Sequence, residues 1–403
     1  MPSPSVAPSS ALVDTPAFRR AGPGALSLAL MDARNHTLHL LGLFEAHGVG
    51  VEGVAGDALW QAGQAGWFAE RWIARNPQRH QGAACPARPT RLPSSETSAD
   101  AWWGEGATQG PDLATTRGYL LEQLENTLEL LDKSPEDDAG LYFYRLAVLH
   151  EDLCGERLLV QAQRLGVLVP LQPREPTRAA EPLLLPATRW VLGAEPGGLV
   201  LDNELGRHEV AVPEFEIDAH PVSWAQWVEF VDDGGYDRDE LWNPAGWAWL
   251  EQQVANEGRR GPRYVEQIGV ASGAVMQQRF GRTVRMAAHH SAMHLSWWEA
   301  DAWCRWAGRR LPSEVEWEIA ARTAARRGFD WGGVHEWMAG TLQPWPGFTA
   351  GPWAEYSAPW FGRARALRGA SFATRARWHD PVFRGFALPD DDARFVGFRS
   401  CAV

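Results

Sequence analysis

Residues 136–166, EDDAGLYFYRLAVLHEDLCGERLLVQAQRLG, read as one long helix, because apolar residues recur along them at three- and four-residue spacing. Working toward the N-terminus, TTRGYLLEQLENTLELLDKS (115–134) repeats Leu at the same spacing. GDALWQAGQAGWFAERWIARN (56–76) is a further amphipathic segment, and ALSLALMDARNHTLHLLGLFEAHG (25–48) ends near Gly48. Residues 77–112 carry Pro, Gly and Ser throughout and read as loop. Four helices of this length predict an antiparallel bundle over residues 23–168. Residues 1–22, rich in Pro, Ser and Ala, read as a disordered leader.

Toward the C-terminus, VPLQPREPTRAAEPLLLP opens a Pro-rich linker over 169–187, and from 188 the character changes. Gly, Pro and Trp become dense, strands look short and loops dominate. The clearest helices, PVSWAQWVEFVDDGG (221–235) and SWWEADAWCRWAGRR (296–310), each begin with a Ser start signal. The fold class expected is α+β, a four-helix bundle followed by a mixed domain at 188–403.

The 403 residues carry 38 Lys and Arg against 50 Asp and Glu, a net charge of −12 with no basic stripe, which argues against nucleic acid and anionic membranes as partners. Cys85, Cys154, Cys304 and Cys401 are widely spaced, without a C-x-x-C pair, and suggest neither a zinc site nor a disulfide framework. No apolar run approaches the ~18 residues of a membrane span, and the N-terminus lacks a secretory pattern, so a cytoplasmic protein is expected. The 22 tryptophans exceed ordinary packing needs, and Trp also lines pockets for cationic ligands.

Five segments of the second domain resemble the formylglycine-generating-enzyme-like fold, a modified C-type-lectin architecture: VLDNELGRHEVAVPEFEIDAHPVSWAQWVEFVDDGGY (200–236), HLSWWEADAWCRWAGRRLPSEVEWEIAAR (294–322), GGVHEWMAG (332–340), LRGASFATRARW (367–378) and VGFRSCA (396–402). The copper-binding cysteine pair of those enzymes has no counterpart in ASFATRARW. The first domain resembles the DinB-like bundle fused to this fold in ergothioneine sulfoxide synthases, and most of all in selenoneine synthases. LWQAGQAGWFAERWIARNPQRHQGAAC (59–85), LYFYRLAVLHEDLCGE (141–156), PWPGF (344–348) and YSAPWFG (356–362) carry that likeness. The resemblance implies Fe(II)- and O2-dependent joining of hercynine to a thiol or a selenosugar.

It also implies three histidine ligands, one after L-W-x-x-G and two in an H-x-x-x-H pair, whose i,i+4 spacing puts both imidazoles on one helix face. Here the three positions are Gln64, His150 and Cys154. One imidazole, one amide and one thiol make a different donor set, and soft thiolate favours Cu(I) or Zn. Each residue also has an ordinary reading: a bundle-core amide, a satisfied core histidine, a small buried hydrophobe. Val334-His335-Glu336-Trp337 replaces the family's V-W-E-W, and Gly385 stands where the family has an Asn that contacts the trimethylammonium group. His335, His379, His289, His290 and His294 are candidate replacement ligands, ordinarily read as surface or structural histidines.

For substrate binding the resemblance points to Arg79 and His80 at the pocket mouth, and to Arg375, Arg377, Arg384 and Arg394, whose guanidinium forks match carboxylates. Trp67, Trp345, Trp353 and Trp360 are candidate faces for a quaternary amine. Three functions remain open from sequence: a selenoneine-synthase-like enzyme, a non-catalytic homologue binding a betaine or a selenium or sulfur metabolite, and a redirected metalloenzyme using Cys154.

Overall fold

A computed structural model describes residues 12–175, 181–269 and 273–403. The bundle consists of α1 (Pro23–His47), α2 (Ala58–Ala69), the short α3 (Ala99–Trp103), α4 (Leu113–Leu131) and α5 (Asp138–Leu165). Aspartates cap three of them: Asp57, Asp112 and Asp137 accept the backbone N–H of Trp60, Thr115 and Gly140 at 2.7, 2.8 and 2.7 Å. Gly48 and Gly166 end α1 and α5 in the left-handed conformation, at φ 65° and 71°, where a side chain would be strained. Beyond Ala69, α2 loosens into a π-helical turn, Glu70–Ala74. The long helix α5 packs against both α1 and α2, and nearly all of its first sixteen residues are buried.

The second domain carries α6 (Trp224–Asp232), α7 (Pro244–Glu257), α8 (Trp297–Trp306) and α9 (Glu314–Thr323). Ser223, Ser296 and Ser313 begin α6, α8 and α9 with reciprocal capping boxes to Gln226, Glu299 and Glu316. Its strands are β1 (Leu183–Leu185), β2 (Thr188–Leu192), β3 (His208–Val212), β4 (Phe215–Ile217), β5 (Val265–Gly269), β6 (Ala274–Arg279), β7 (Arg282–Met286), β8 (Arg309–Arg310), β9 (His335–Thr341), β10 (Arg365–Arg368), β11 (Gly385–Ala387), β12 (Val396–Gly397) and β13 (Cys401–Ala402). They form sheets ordered β1-β4-β13-β8, β11-β10-β9-β12, β2-β3 and β5-β6-β7. Trp227, Trp303 and Phe398 meet edge-on in the core of this domain, and Trp297 and Trp337 donate their indole N–H to Met338 and Leu295 carbonyls at 2.9 and 2.8 Å.

Two expectations need correction. The leader is anchored from Pro16, where Pro16–Arg20 forms a 3-10 helix. Phe18 is fully buried against Trp378, and Arg19 forks onto Glu204 at 2.7 and 2.8 Å and reaches Asp380 at 2.9 Å. Averaged composition hides one buried aromatic and one paired arginine. Residues 1–11 lie outside the described residues. The expected linker, likewise, already contains β1, whose Leu183 and Leu185 are buried in antiparallel register with Ile217 and Phe215. Pro182 and Pro186 flank it, as suits an edge strand. Residues 176–180 lie outside the described residues.

The two domains are joined through a buried polar clamp. Arg377, fully buried in the 3-10 turn Ala376–Trp378, donates to Asp152 of α5 at 2.6 and 3.0 Å and to Asp32 of α1 at 2.9 Å. The Trp378 indole N–H adds a third bond to Asp152 at 2.6 Å, and Arg375 pairs with Asp32. Within the bundle, Arg34 of α1 forks onto Glu151 of α5 at 2.7 and 3.1 Å. Removing one side of such a pair strands a buried charge. Arg377→Met is therefore expected to cost about 3–5 kcal/mol in urea unfolding, and Arg377→Met with Asp152→Leu much less than that.

Candidate functional site

A cavity of about 460 Å3 lies between α5 and the second domain. Helix α5 supplies Leu153, Glu156, Arg157 and Val160, at the spacing that lines one helix face. Facing them is an aromatic wall from the loops of the second domain. Trp353 and Tyr356 lie 4.6 Å apart between centroids, Phe386 meets Tyr356 at 5.2 Å and Trp360 at 6.1 Å, and Phe395 completes it. Charged groups stand among the rings. Arg157 is exposed, and Arg394 pairs with Asp391 at 2.8 Å. Glu156 lies 3.2 Å from His335 Nε2, which Thr374 Oγ1 also approaches at 3.3 Å. Burial pushes the Glu156 carboxyl up, but hydrogen bonding and charge from His335, with Thr374, outweigh it and hold the group below the usual carboxylate range.

The three positions that the resemblance marks for a metal lie outside the cavity lining; His150 and Cys154 are buried and Gln64 is half-buried. His150 stacks face to face on Phe68 of α2, with centroids 3.8 Å apart and planes at 4°. Trp353 meets it edge-on at 5.4 Å and also lines the cavity. Burial, helped by Arg157, drives the imidazole well below its ordinary value, so it is neutral. Cys154 Sγ lies 3.8 Å from His150 Nδ1, and burial pushes its thiol up to about 11. Gln64 is turned to α3, donating its amide to the Trp103 carbonyl at 2.6 Å. Among the described residues no hydrogen bond links Gln64 to His150 or Cys154. The structure thus brings His150 and Cys154 together and places α2 beside α5, with Phe68 as the α2 side chain against the imidazole.

Of the expected substrate contacts, Gly385, Trp353, Trp360 and Arg394 line the cavity. The others lie outside its lining. His80 is exposed beside the Pro77 carbonyl, and Arg79 is near Tyr144. Trp67 bonds Asp100, Arg375 bonds Asp32, and Arg377 is the clamp. Arg384 is buried on Glu314 at 2.7 Å from each oxygen and stacks over Trp345 at 4.3 Å. Glu156, Arg157, Tyr356, Asp391, Phe386 and Phe395 were not read as site residues. The signal for the first two was available, since they continue the face of α5 one turn beyond Leu153.

The candidate replacement histidines scatter. His335 faces the cavity, while His379 bonds the Thr374 carbonyl at 3.1 Å. His294 is buried against Tyr264 and Phe395 and lowered to about 3, chiefly by burial. His289 is on the surface with Glu175, and His290 beside them is largely buried. Among the described residues no helix is long and apolar enough to cross a membrane.

Fold and site together define a helical bundle fused to a formylglycine-generating-enzyme-like domain, with a ligand cavity at the seam. The Sulfatase-modifying factor enzyme 1-like domain (FGE-sulfatase) matches residues 169–333. A hercynine oxygenase of Mycolicibacterium smegmatis is 31% identical over 85% of this chain and 90% of its own length, and one of Mycolicibacterium thermoresistibile is 30% identical over 93% and 94%. The formylglycine-generating enzyme of Bos taurus is 30% identical over 40% of this chain and 44% of its own. The chain belongs to the hercynine oxygenase family, the sulfoxide-synthase group in which a bundle precedes the formylglycine-generating-enzyme-like domain.

The Cys154 environment sets a reactivity test. A thiol titrating near 11 and wholly buried holds almost no thiolate at pH 8. Cys154 is expected to escape labelling by an aromatic disulfide reagent in native protein at pH 8 and to react fully in urea, read by peptide mass spectrometry.

Proposed function

We propose that this chain binds hercynine in the cavity between its domains, as a homologue of the ergothioneine and selenoneine synthases whose metal position is altered. The observation that carries this reading is the aromatic wall of Trp353, Tyr356, Trp360 and Phe386 facing the charged face of α5. Ring faces attract a trimethylammonium group. Arg157 supplies a fork for the carboxylate of a betaine. Glu156 and His335, bonded to each other, can hold a proton beside an imidazole substrate. The cavity volume suits one small molecule and leaves space for a sulfur or selenium donor, a thiol or a selenosugar in the family.

The family's iron does not fit the residues present. A ring stacked on Phe68, a protonated thiol and an amide bonded to a backbone carbonyl do not amount to a three-imidazole site. The reading is therefore of a hercynine-binding protein with weak or absent iron. This favours the non-catalytic homologue over a metalloenzyme built on Cys154, because that cysteine would first have to lose its proton in a buried site.

Two measurements test this. Calorimetry with hercynine should show saturable binding, weakened about tenfold or more in Arg157→Ala, since hydrogen bonds to charged groups contribute about 1.5–3 kcal/mol. No heat at millimolar hercynine would sink the proposal. Elemental analysis after anaerobic loading with Fe(II) should find far less than one iron per chain. Gln64→His with Cys154→His should raise that content while neither single change does, because two imidazoles leave iron underligated. An unchanged iron content in a folded double variant would mean that these positions are misassigned.

A further inference from the structure

His289, His290 and Glu175 are absorbed neither by the cavity nor by the family's metal positions. His289 Nε2 and His290 Nε2 approach the same oxygen, Oε2 of Glu175, at 3.3 and 2.9 Å. One ligand atom from each of the three lies within 4.8 Å of the others. The two imidazoles stand perpendicular, with centroids 4.9 Å apart, so they address the carboxylate from different directions. A tetrahedral ion with ligand bonds of roughly 2.0–2.2 Å separates its ligands by about 3.3–3.6 Å; the two imidazole-to-carboxylate distances are near that, and the two ring nitrogens lie within 4.8 Å of each other.

The loop that carries the histidines is held in place. Trp224 N–H donates to the His290 carbonyl at 2.9 Å, Ala225 N–H to the Ala288 carbonyl at 2.8 Å, and Ala292 N–H to the Val222 carbonyl at 2.9 Å. His290 itself is largely buried, with 14% of its side chain exposed. The backbone that carries both imidazoles is thus fixed and the His290 ring is packed, while His289 and Glu175 stand exposed and can turn to an ion from solvent. Glu175 comes from the segment that leads out of the bundle, and the neighbouring Arg174 is engaged with Asp330. No cation therefore competes from that position for the Glu175 carboxylate.

We infer that Glu175, His289 and His290 form a binding site for a divalent first-row metal of the Zn(II) class. Two neutral nitrogens and one carboxylate oxygen suit Zn(II), Ni(II) or Cu(II) better than Mg(II) or Ca(II), which take oxygen shells. Remaining positions on the ion are open to water, so the metal exchanges readily. The ion fastens the segment between the domains to the surface of the second domain, and shares no residue with the positions Gln64, His150 and Cys154.

The test uses the full chain, stripped of metal and titrated with zinc chloride in a calorimeter. About one equivalent should bind, and the uptake should vanish in His289→Ala/His290→Ala, whose fold is checked by circular dichroism. Glu175→Gln should bind about tenfold or more weakly, because a neutral amide replaces the charged ligand. Cys154→Ser should bind as the parent does, which separates this site from the family's metal position. The inference is overturned by no uptake at about 100 µM zinc, by equal uptake in the double histidine variant, or by loss of uptake in Cys154→Ser.

Discussion

The pairing of Arg377 with Asp152 governs how the two halves of the molecule meet. Both groups are buried, and neither is tolerable there without the other. Two forked bonds and the Trp378 indole satisfy the Asp152 carboxylate, while the outer guanidinium nitrogen holds Asp32 on a second helix. The clamp works beside a hydrophobic seam, where Leu40, Phe44, Leu158 and Ala162 of the bundle share one core with Trp224 and Phe280 of the second domain, and its directional bonds fix the register of that packing. Arg19, with Glu204 and Asp380, adds a second polar tie from the segment ahead of α1.

The cavity is a consequence of that geometry. Asp152 lies at its edge, and the next turn of α5 presents Glu156 and Arg157 to the aromatic loops. The surroundings change from one turn of this helix to the next. Around His150 the environment is dry and stacked, with a neutral ring and a protonated thiol; around Glu156 it is charged and open to the cavity. Trp353 belongs to both, meeting the His150 imidazole edge-on and lining the cavity, with Leu149 and Leu153 of α5 beside it.

How much of this was legible in the sequence depends on range. The bundle helices read as 25–48, 56–76, 115–134 and 136–166 are found at Pro23–His47, Ala58–Ala69 with its π-turn, Leu113–Leu131 and Asp138–Leu165. Helical periodicity is local and repeats many times, so it survives without tertiary knowledge. The Ser starts of α6 and α8 were legible for the same reason. Phe18 and Arg19 were not, because their partners lie some 180 or more residues away in Glu204, Asp380 and Trp378. β1 was hidden by the prolines around it. The arginines read as substrate forks show the same limit. Arg375, Arg377 and Arg384 all have carboxylate partners inside the protein, and only contacts distant in sequence distinguish a structural fork from a binding one. Arg157, unremarked in the sequence, is the one aimed at the cavity from α5.

One face of α5 carries both the clamp residue Asp152 and the cavity residues Glu156 and Arg157, while the opposite wall comes from loops around 353–360 and 385–395. The two walls therefore differ in how freely they can diverge. A substitution on α5 risks the docking of the domains, so that helix is a poor place for selection to try new ligands. The rings of the opposite wall also pack on the core, Phe395 among its buried residues and Trp353, Tyr356, Trp360 and Phe386 against it, but none of them belongs to the clamp. An exchange of one ring for another there changes the ligand surface while leaving the docking of the domains untouched.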